Sequence, residues 1–168
     1  MVSRLLALDE AILLGLRRWR PAWITLAMKL FTRLGDALSW IFAALVLIAA
    51  GGDATVIGLR LGIAAGLAAL ASQVLKRMWR RARPTAGIVG FTALAENPDA
   101  FSFPSGHSAA AFAVAMAMAG LVPGAPGFIA LAVAVAMSRV YLGAHYPLDV
   151  AVGACIGLVC GGAARGIL

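Results

Sequence analysis

Five apolar runs, 37–51, 54–75, 105–121, 127–143 and 148–167, take up most of the chain and leave little between them. Roughly 20 apolar residues cover a hydrocarbon core of about 30 Å, so each run reads as a membrane span. They account for a composition in which 62% of the 168 residues are hydrophobic and 12% charged, a balance outside that of soluble domains. No room is left for a soluble catalytic domain, so any chemistry must be built from helix ends and short loops, where polar groups reach water. The expected fold class is all-α: a polytopic membrane helix bundle in one domain, 1–168, with five clear spans plus N-terminal interfacial helices, five to six transmembrane helices in all.

Residues 1–35 carry no clean span. The apolar stretch 11–16 ends at Arg17, Arg18, Arg20 and Pro21, and Asp9 and Glu10 interrupt the run upstream. The start therefore does not read as a cleaved signal peptide and is expected to stay on the mature chain. Over 21–34, Trp23, Ala27, Leu30 and Leu34 share one helical face while Thr25, Lys29, Thr32 and Arg33 fall opposite, the pattern of a helix lying flat among headgroups. Asp36 reads as the N-cap of the first span, Gly51-Gly52-Asp53 as the turn that closes it, and Arg60 as a snorkelling side chain. Pro123-Gly124-Ala125-Pro126 is a tight turn, and Pro147 stands at the start of the last span. Cys155 and Cys160 fall in one apolar run at no metal spacing and read as buried, inert thiols.

One polar connection, 77–104, is long, and loops of that length are usually functional. Counting crossings puts Lys76, Ser105, His145 and the start of the last helix on one side of the membrane. Three polar clusters converge there: 76–84 (K-R-M-W-R-R-A-R-P), Pro104-Ser105-Gly106-His107, and Ser138-Arg139 followed by His145 and Asp149. Lys76, Arg83 and Arg139 supply the cationic donors that a phosphoryl group needs in its ground and transition states. Ser105-Gly106 opens a helix, whose free N–H groups and positive dipole end make a second anion cradle. His145 with Asp149 has nucleophile-and-orienter logic, the carboxylate holding one imidazole nitrogen protonated and the other free to attack phosphorus. His107 is then available as general acid. Of the seven acidic residues only Asp149 joins these clusters, so no metal site is expected. Arg77, Arg80 and Arg81 read as the charged flank of a span. Each piece alone has an ordinary reading as flank, cap or interfacial hydrogen-bonder; ionisable groups gathered at one membrane face favour function.

At these residues the chain resembles the type 2 phosphatidic acid phosphatase family, whose signature is K-x6-R-P, then P-S-G-H, then S-R-x5-H-x3-D. The match is complete: Lys76 with Arg83-Pro84, Pro104-Ser105-Gly106-His107, and Ser138-Arg139 with His145 and Asp149. The catalytic motifs span 76–149, and the first 35 residues carry no diagnostic motif. The resemblance implies an all-helical membrane bundle with His145 as the nucleophile that forms a phosphohistidine, Asp149 orienting it and His107 protonating the leaving oxygen. It also implies phosphate binding by Lys76, Arg83, Ser105, Gly106 and Arg139, with no metal and no cofactor. Longer members have a full first span where this chain has interfacial candidates.

The function expected is a membrane-embedded phosphatase acting on a lipid phosphate or diphosphate: polyprenyl diphosphate, phosphatidylglycerol phosphate, phosphatidic acid, lipid A phosphate or a polyprenyl-linked sugar phosphate. Two alternatives stand beside it. Vanadate-dependent haloperoxidases have a similar phosphate-type site but are soluble, and an anionic-lipid receptor or transporter needs neither nucleophile nor acid. Headgroup and tail selection is expected in the loop 85–103, with Phe91, Phe101 and Phe103. The partners expected are the bilayer and a lipid phosphate rather than nucleic acid, since the net charge of +7 lies in short clusters beside apolar runs. Localisation is expected in the cell (cytoplasmic, inner) membrane. Arg77, Arg80 and Arg81 point the site to the cytoplasm by the positive-inside rule unless they serve substrate, and the face and the oligomeric state stay open.

Overall fold

The computed structural model describes residues 2–17, 20–95 and 99–168, and among these glycine and proline punctuate the chain into eight helices. They are α1 (Val2–Arg17), α2 (Ala22–Leu34), α3 (Ala37–Ala50), α4 (Asp53–Trp79), the single turn α5 (Pro84–Gly87), α6 (Gly106–Met118), α7 (Ala125–Tyr141) and α8 (Pro147–Ile167). Arg18, taken as part of the break after α1, and Glu96, Asn97 and Pro98 of the long connection lie outside the described residues. The architecture is all-helical among the described residues, with one isolated bridge from Ala82 to Phe101 drawing the ends of the long connection together. Pro84 and Pro147 sit at helix starts, where a missing N–H costs nothing and the ring presets φ.

Helix length bears out fewer than the five clear spans expected. Among the described residues two helices, α4 and α8, are long and apolar enough to cross a membrane, and a third crossing arises if α2 and α3, bent by 56°, count together. The apolar runs at α6 and α7 are real, but their 13 and 17 helical residues fall short of the roughly 20 needed at 1.5 Å per residue. Residues 21–34 also depart from a flat interfacial helix standing alone. The Gly35-Asp36 break joins α2 to α3, and a Cβ at Gly35 would lie 2.5 Å from Val135 on α7. The two threonines on the polar side of α2 turn inward, Thr32 buried and the Thr25 hydroxyl sharing a 3.0 Å hydrogen bond with that of Tyr141, while Lys29 and Arg33 stay exposed. Trp23, Leu26 and Leu30 face out.

The centre of the bundle is α6, packed on α8, α4 and α7. Its facing side chains are small: Ala109, Ala113, Ala117 and, on α4, Ala64 and Ala68 are buried. Small residues let helix backbones approach closely, which supplies packing where lipid removes the hydrophobic drive. Gly153, Gly157 and Gly161 of α8 form the contact stripe, since a Cβ there would meet the carbonyl oxygens of Ser105, Ala109 and Ala113 at 2.5, 2.3 and 2.3 Å. Cys155 and Cys160 are correspondingly on the outer side, exposed and half-buried, contrary to the expectation of buried thiols.

Gly157→Leu is therefore expected to destabilise the fold by about 1–3 kcal/mol or more, read as a lowered thermal midpoint in detergent. Gly162 has open space around its Cα. Gly162→Ala should hold or slightly raise the midpoint, so equal losses at both positions would contradict this packing.

Candidate active site

The ends of α4, α6, α7 and α8 meet at one face, and the side chains they carry are buried cations, the buried His145 and the half-buried His107. Lys76, in the last turn of α4, is 5% exposed; Arg83, just before α5, 5%; Arg139, near the end of α7, 3%. Three cations this deep need anionic partners. Arg83 Nη1 donates to the Ala144 carbonyl at 2.8 Å and lies 3.4 Å from His145 Nε2. Arg139 donates from Nη1 to the hydroxyl of Thr32 on α2. The charge partner of both Lys76 and Arg83 is Asp99, bonded to Lys76 Nζ at 2.5 Å and to Arg83 through both its carboxylate and its carbonyl. Burial raises the pKa of the Asp99 carboxyl, but the hydrogen bond and charge of Lys76, then those of Arg83, lower it further, so the net shift is down and the group is ionised at neutral pH.

Ser105 is the N-cap of α6 as read from sequence, its Oγ accepting from the Ser108 N–H at 3.4 Å and from the Ser108 hydroxyl at 3.0 Å. Its own N–H donates to the Asp149 carbonyl at 2.9 Å, which ties the start of α6 to the start of α8. Gly106 follows as the first helical residue, with Ser72 Cβ 3.9 Å from where its own Cβ would stand. A helix's first turn carries N–H groups without helical partners, the donors an anion would meet there.

His145 occupies the turn between α7 and α8 and is 1% exposed. Gly143, at φ +76°, makes that turn; a Cβ there would sit 2.8 Å from the Phe91 ring. Phe91 is 4% exposed and packs with Leu13, Val140 and Tyr146. It thus supports the turn, and it also lines an open cavity of about 660 Å³ beside Arg83. Phe103 stacks edge-on against Trp79 at 5.7 Å. The Nδ1 atom of His145 lies 3.7 Å from Asp149 Oδ2, longer than a hydrogen bond, and has no other partner among the described residues. Burial, followed by the charges of Arg139, Arg83, Lys76 and His107, holds the His145 pKa well below the ordinary histidine range. The ring is neutral at pH 7, with a lone pair available.

His107, in the first turn of α6, donates through Nε2 to Asp36 Oδ1 at 2.6 Å. Asp36 stands at the N-cap position of α3, as expected, but its side chain makes no cap bond and is turned to the histidine instead. The reading that Asp149 was the lone acidic residue of the site is therefore corrected: Asp36, Asp99 and Asp9 join it. Asp9 and Asp149 are bridged by Arg81, which sequence treated as a mere flank. Spacing gave no signal for these pairings. The available clue was economy, because a chain with seven acidic residues has few to spend at membrane depth without a partner. Arg77 and Arg80 are exposed, as a flank should be. Among the described residues no group of three or more His, Cys, Asp and Glu is gathered as a metal site.

Comparison with known proteins places the chain among lipid phosphatases by similarity. The sequence model of the PAP2 superfamily fits residues 57–167. The chain is 37% identical over 100 residues to the decaprenylphosphoryl-5-phosphoribose phosphatase of Mycobacterium tuberculosis (strain ATCC 25618 / H37Rv), an alignment covering 60% of this chain and 55% of that protein. It therefore spans about half the length of that relative. It is 34% identical over 166 residues to phosphatidylglycerophosphatase B of Bacillus subtilis (strain 168), covering 90% of this chain and 78% of the relative. The crystal structure of a transmembrane PAP2 type phosphatidylglycerolphosphate phosphatase from Bacillus subtilis superposes with a TM-score of 0.80 at 28% identity, over 98% of this chain and 86% of that one.

Proposed function

The chain belongs to the PAP2 superfamily, and on that premise we propose that it is a membrane lipid phosphatase working through a phosphohistidine on His145. The observation that carries this is the buried, neutral His145 with Arg83 3.4 Å from its Nε2 and the Asp149 carboxylate behind its Nδ1. Substrate phosphate bridges Lys76, Arg83 and Arg139 and the N–H groups at Ser105-Gly106. His145 Nε2 attacks phosphorus as the ester oxygen leaves, taking a proton from His107. Water, deprotonated by the same His107, then attacks the phosphohistidine and releases inorganic phosphate. The cations and N–H groups stabilise charge on the equatorial oxygens in both steps. Asp149 orients the imidazole and offsets its positive charge, a contact expected to tighten when the ring becomes charged.

The substrate class is a lipid phosphate or diphosphate with its tail in the bilayer, held by a multi-pass protein in the cytoplasmic (inner) membrane in which the shorter α6 and α7 complete the crossing. Polyprenyl-linked phosphates and phosphatidylglycerol phosphate are the candidates that the relatives' names support, and the cavity beside Arg83 has room for a headgroup. Release of inorganic phosphate from a panel of these lipids tests the reading. A receptor or transporter binds without release, and a haloperoxidase turns over only with vanadate, peroxide and halide.

Activity is expected to persist in excess EDTA and to be blocked by orthovanadate, since cations and N–H donors fill the charge role that metals play elsewhere. A strict requirement for added Mg²⁺ or Mn²⁺ would sink the mechanism. Asp99 bears on the same site because its carboxylate bridges the two cations assigned to phosphate. Asp99→Asn should lower KM and tighten orthovanadate inhibition several-fold, by removing the internal anion that substrate displaces. A raised KM would mean that Asp99 helps to hold substrate.

A further inference from the structure

Arg81 lies within the six unspecified positions between Lys76 and Arg83, and nothing in the reaction above uses it. It is nevertheless the hub of a buried charge network. Its Nη1 donates to Asp149 Oδ1 at 2.6 Å and its Nη2 to Asp9 Oδ2 at 2.6 Å, and its guanidinium carbon sits 4.0 Å from the centroid of the Tyr146 ring. Asp149 is fully buried, with Oδ2 accepting the Tyr146 N–H at 3.0 Å while facing His145. Asp9, 4% exposed on α1, accepts the Leu148 N–H at 2.7 Å in the first turn of α8. Leu13, one turn further along α1, is fully buried beside Tyr146.

We propose that Arg81 is a positioning residue for the phosphatase reaction: it holds Asp149 behind His145, and is itself held by Asp9, so that α1 is part of the support of the active site. The proposal rests on the phosphatase reading and adds to it a part of the chain outside the family match at 57–167. An orienting carboxylate works only while it is ionised and fixed. Asp149 is buried against a neutral imidazole, so a nearby cation is needed to offset the cost of its charge. Arg81 supplies that cation in a planar fork whose two ends are fixed by two different carboxylates, with one face covered by Tyr146. A lysine keeps the charge but neither the fork nor the stacking. Asp9 contributes twice, by pinning the free end of the fork and by placing a carboxylate at the positive end of α8. Burial lowers the Arg81 pKa, but Asp9 and Asp149 together raise it further, so Arg81 keeps its charge throughout the working pH range. The other titratable groups at this junction are Tyr146 and the exposed Glu10.

The test compares full-length Arg81→Gln, Arg81→Lys, Asp9→Asn, the Arg81→Gln/Asp9→Asn double variant and Arg77→Gln in detergent. Arg81→Gln should lower kcat at least ten-fold while leaving KM within two-fold. Arg81→Lys should recover only part of the loss, and Asp9→Asn should cost a few-fold. The double variant should be no worse than Arg81→Gln, because Asp9 acts through Arg81. Arg77→Gln should match the unmodified chain. A second readout is independent of turnover: imidazole ¹⁵N shifts should show His145 protonated at Nδ1 in the unmodified chain and as a tautomer mixture in Arg81→Gln. If the unmodified chain releases no phosphate from any lipid in the panel, the phosphatase reading fails and the ¹⁵N shifts alone judge the positioning role. The proposal is overturned by an unchanged tautomer, by a loss confined to KM, by additive losses in the double variant, or by full activity of Arg81→Lys. Should Arg81→Gln not fold, Arg81→Lys and Asp9→Asn carry the same two readouts.

Discussion

His145→Ala is expected to abolish turnover and to leave no acid-labile, base-stable phosphohistidine on the protein after a rapid quench, because without Nε2 no phosphoenzyme can form. His107→Ala should differ in kind. The nucleophile remains, but an alkoxide departs unprotonated and the later water attack lacks its base, a loss of about 10²–10⁴-fold for a positioned acid–base group. The defect should therefore depend on the leaving group. An aryl phosphate, whose leaving oxygen is already acidic, should recover part of the first step in His107→Ala and none in His145→Ala, and phosphoenzyme should accumulate in the former. The Asp36 carboxylate 2.6 Å from His107 Nε2 gives this assignment a further handle, since it partners the ring assigned to proton transfer and not the ring assigned to attack. Turnover surviving in His145→Ala, with no gain from an activated leaving group in His107→Ala, would exchange the two roles.

Neutralising Arg83 or Arg139 should lower kcat/KM by about 10²–10³-fold, the loss typical of removing one donor to a transition-state oxyanion. Both guanidinium groups are buried at the face that holds His145. Arg80 is the matched control, exposed and bonded through Nε to the Arg77 carbonyl at 3.1 Å. It also ends α4 in the left-handed region, at φ +44°, so Arg80→Asn is the appropriate change, asparagine tolerating that conformation. Arg80→Asn should stay close to the unmodified rate. Arg139→Lys and thermal unfolding of each variant separate lost chemistry from lost packing, because the Arg139 fork also bonds Thr32. Equal losses at 80, 83 and 139 would mean that the basic cluster merely attracts anionic lipid.

The motif residues were legible in the sequence because each is tied to a local rule. Ser105 caps α6, Pro147 opens α8, and Lys76 stands where an apolar run turns basic; local backbone chemistry fixes all three. The position of Asp36 was legible for the same reason, but not its function. Its carboxylate had a local alternative as a cap, and the tertiary structure gave it to His107, 71 positions away. Asp99, 23 positions from Lys76, and Asp9, 72 from Arg81, have no local signal at all. Which charges pair inside a bundle depends on how helix ends meet in space, and neither periodicity nor spacing encodes that. The glycines at 153, 157 and 161 act as a contact stripe only through the packing of α8 on α6, which no local feature announces. The orientation of α2 has a different cause. Periodicity shows that an apolar face exists, and since lipid accepts such a face as readily as a neighbouring helix does, only the packed structure could turn Thr25 and Thr32 inward and Trp23 out.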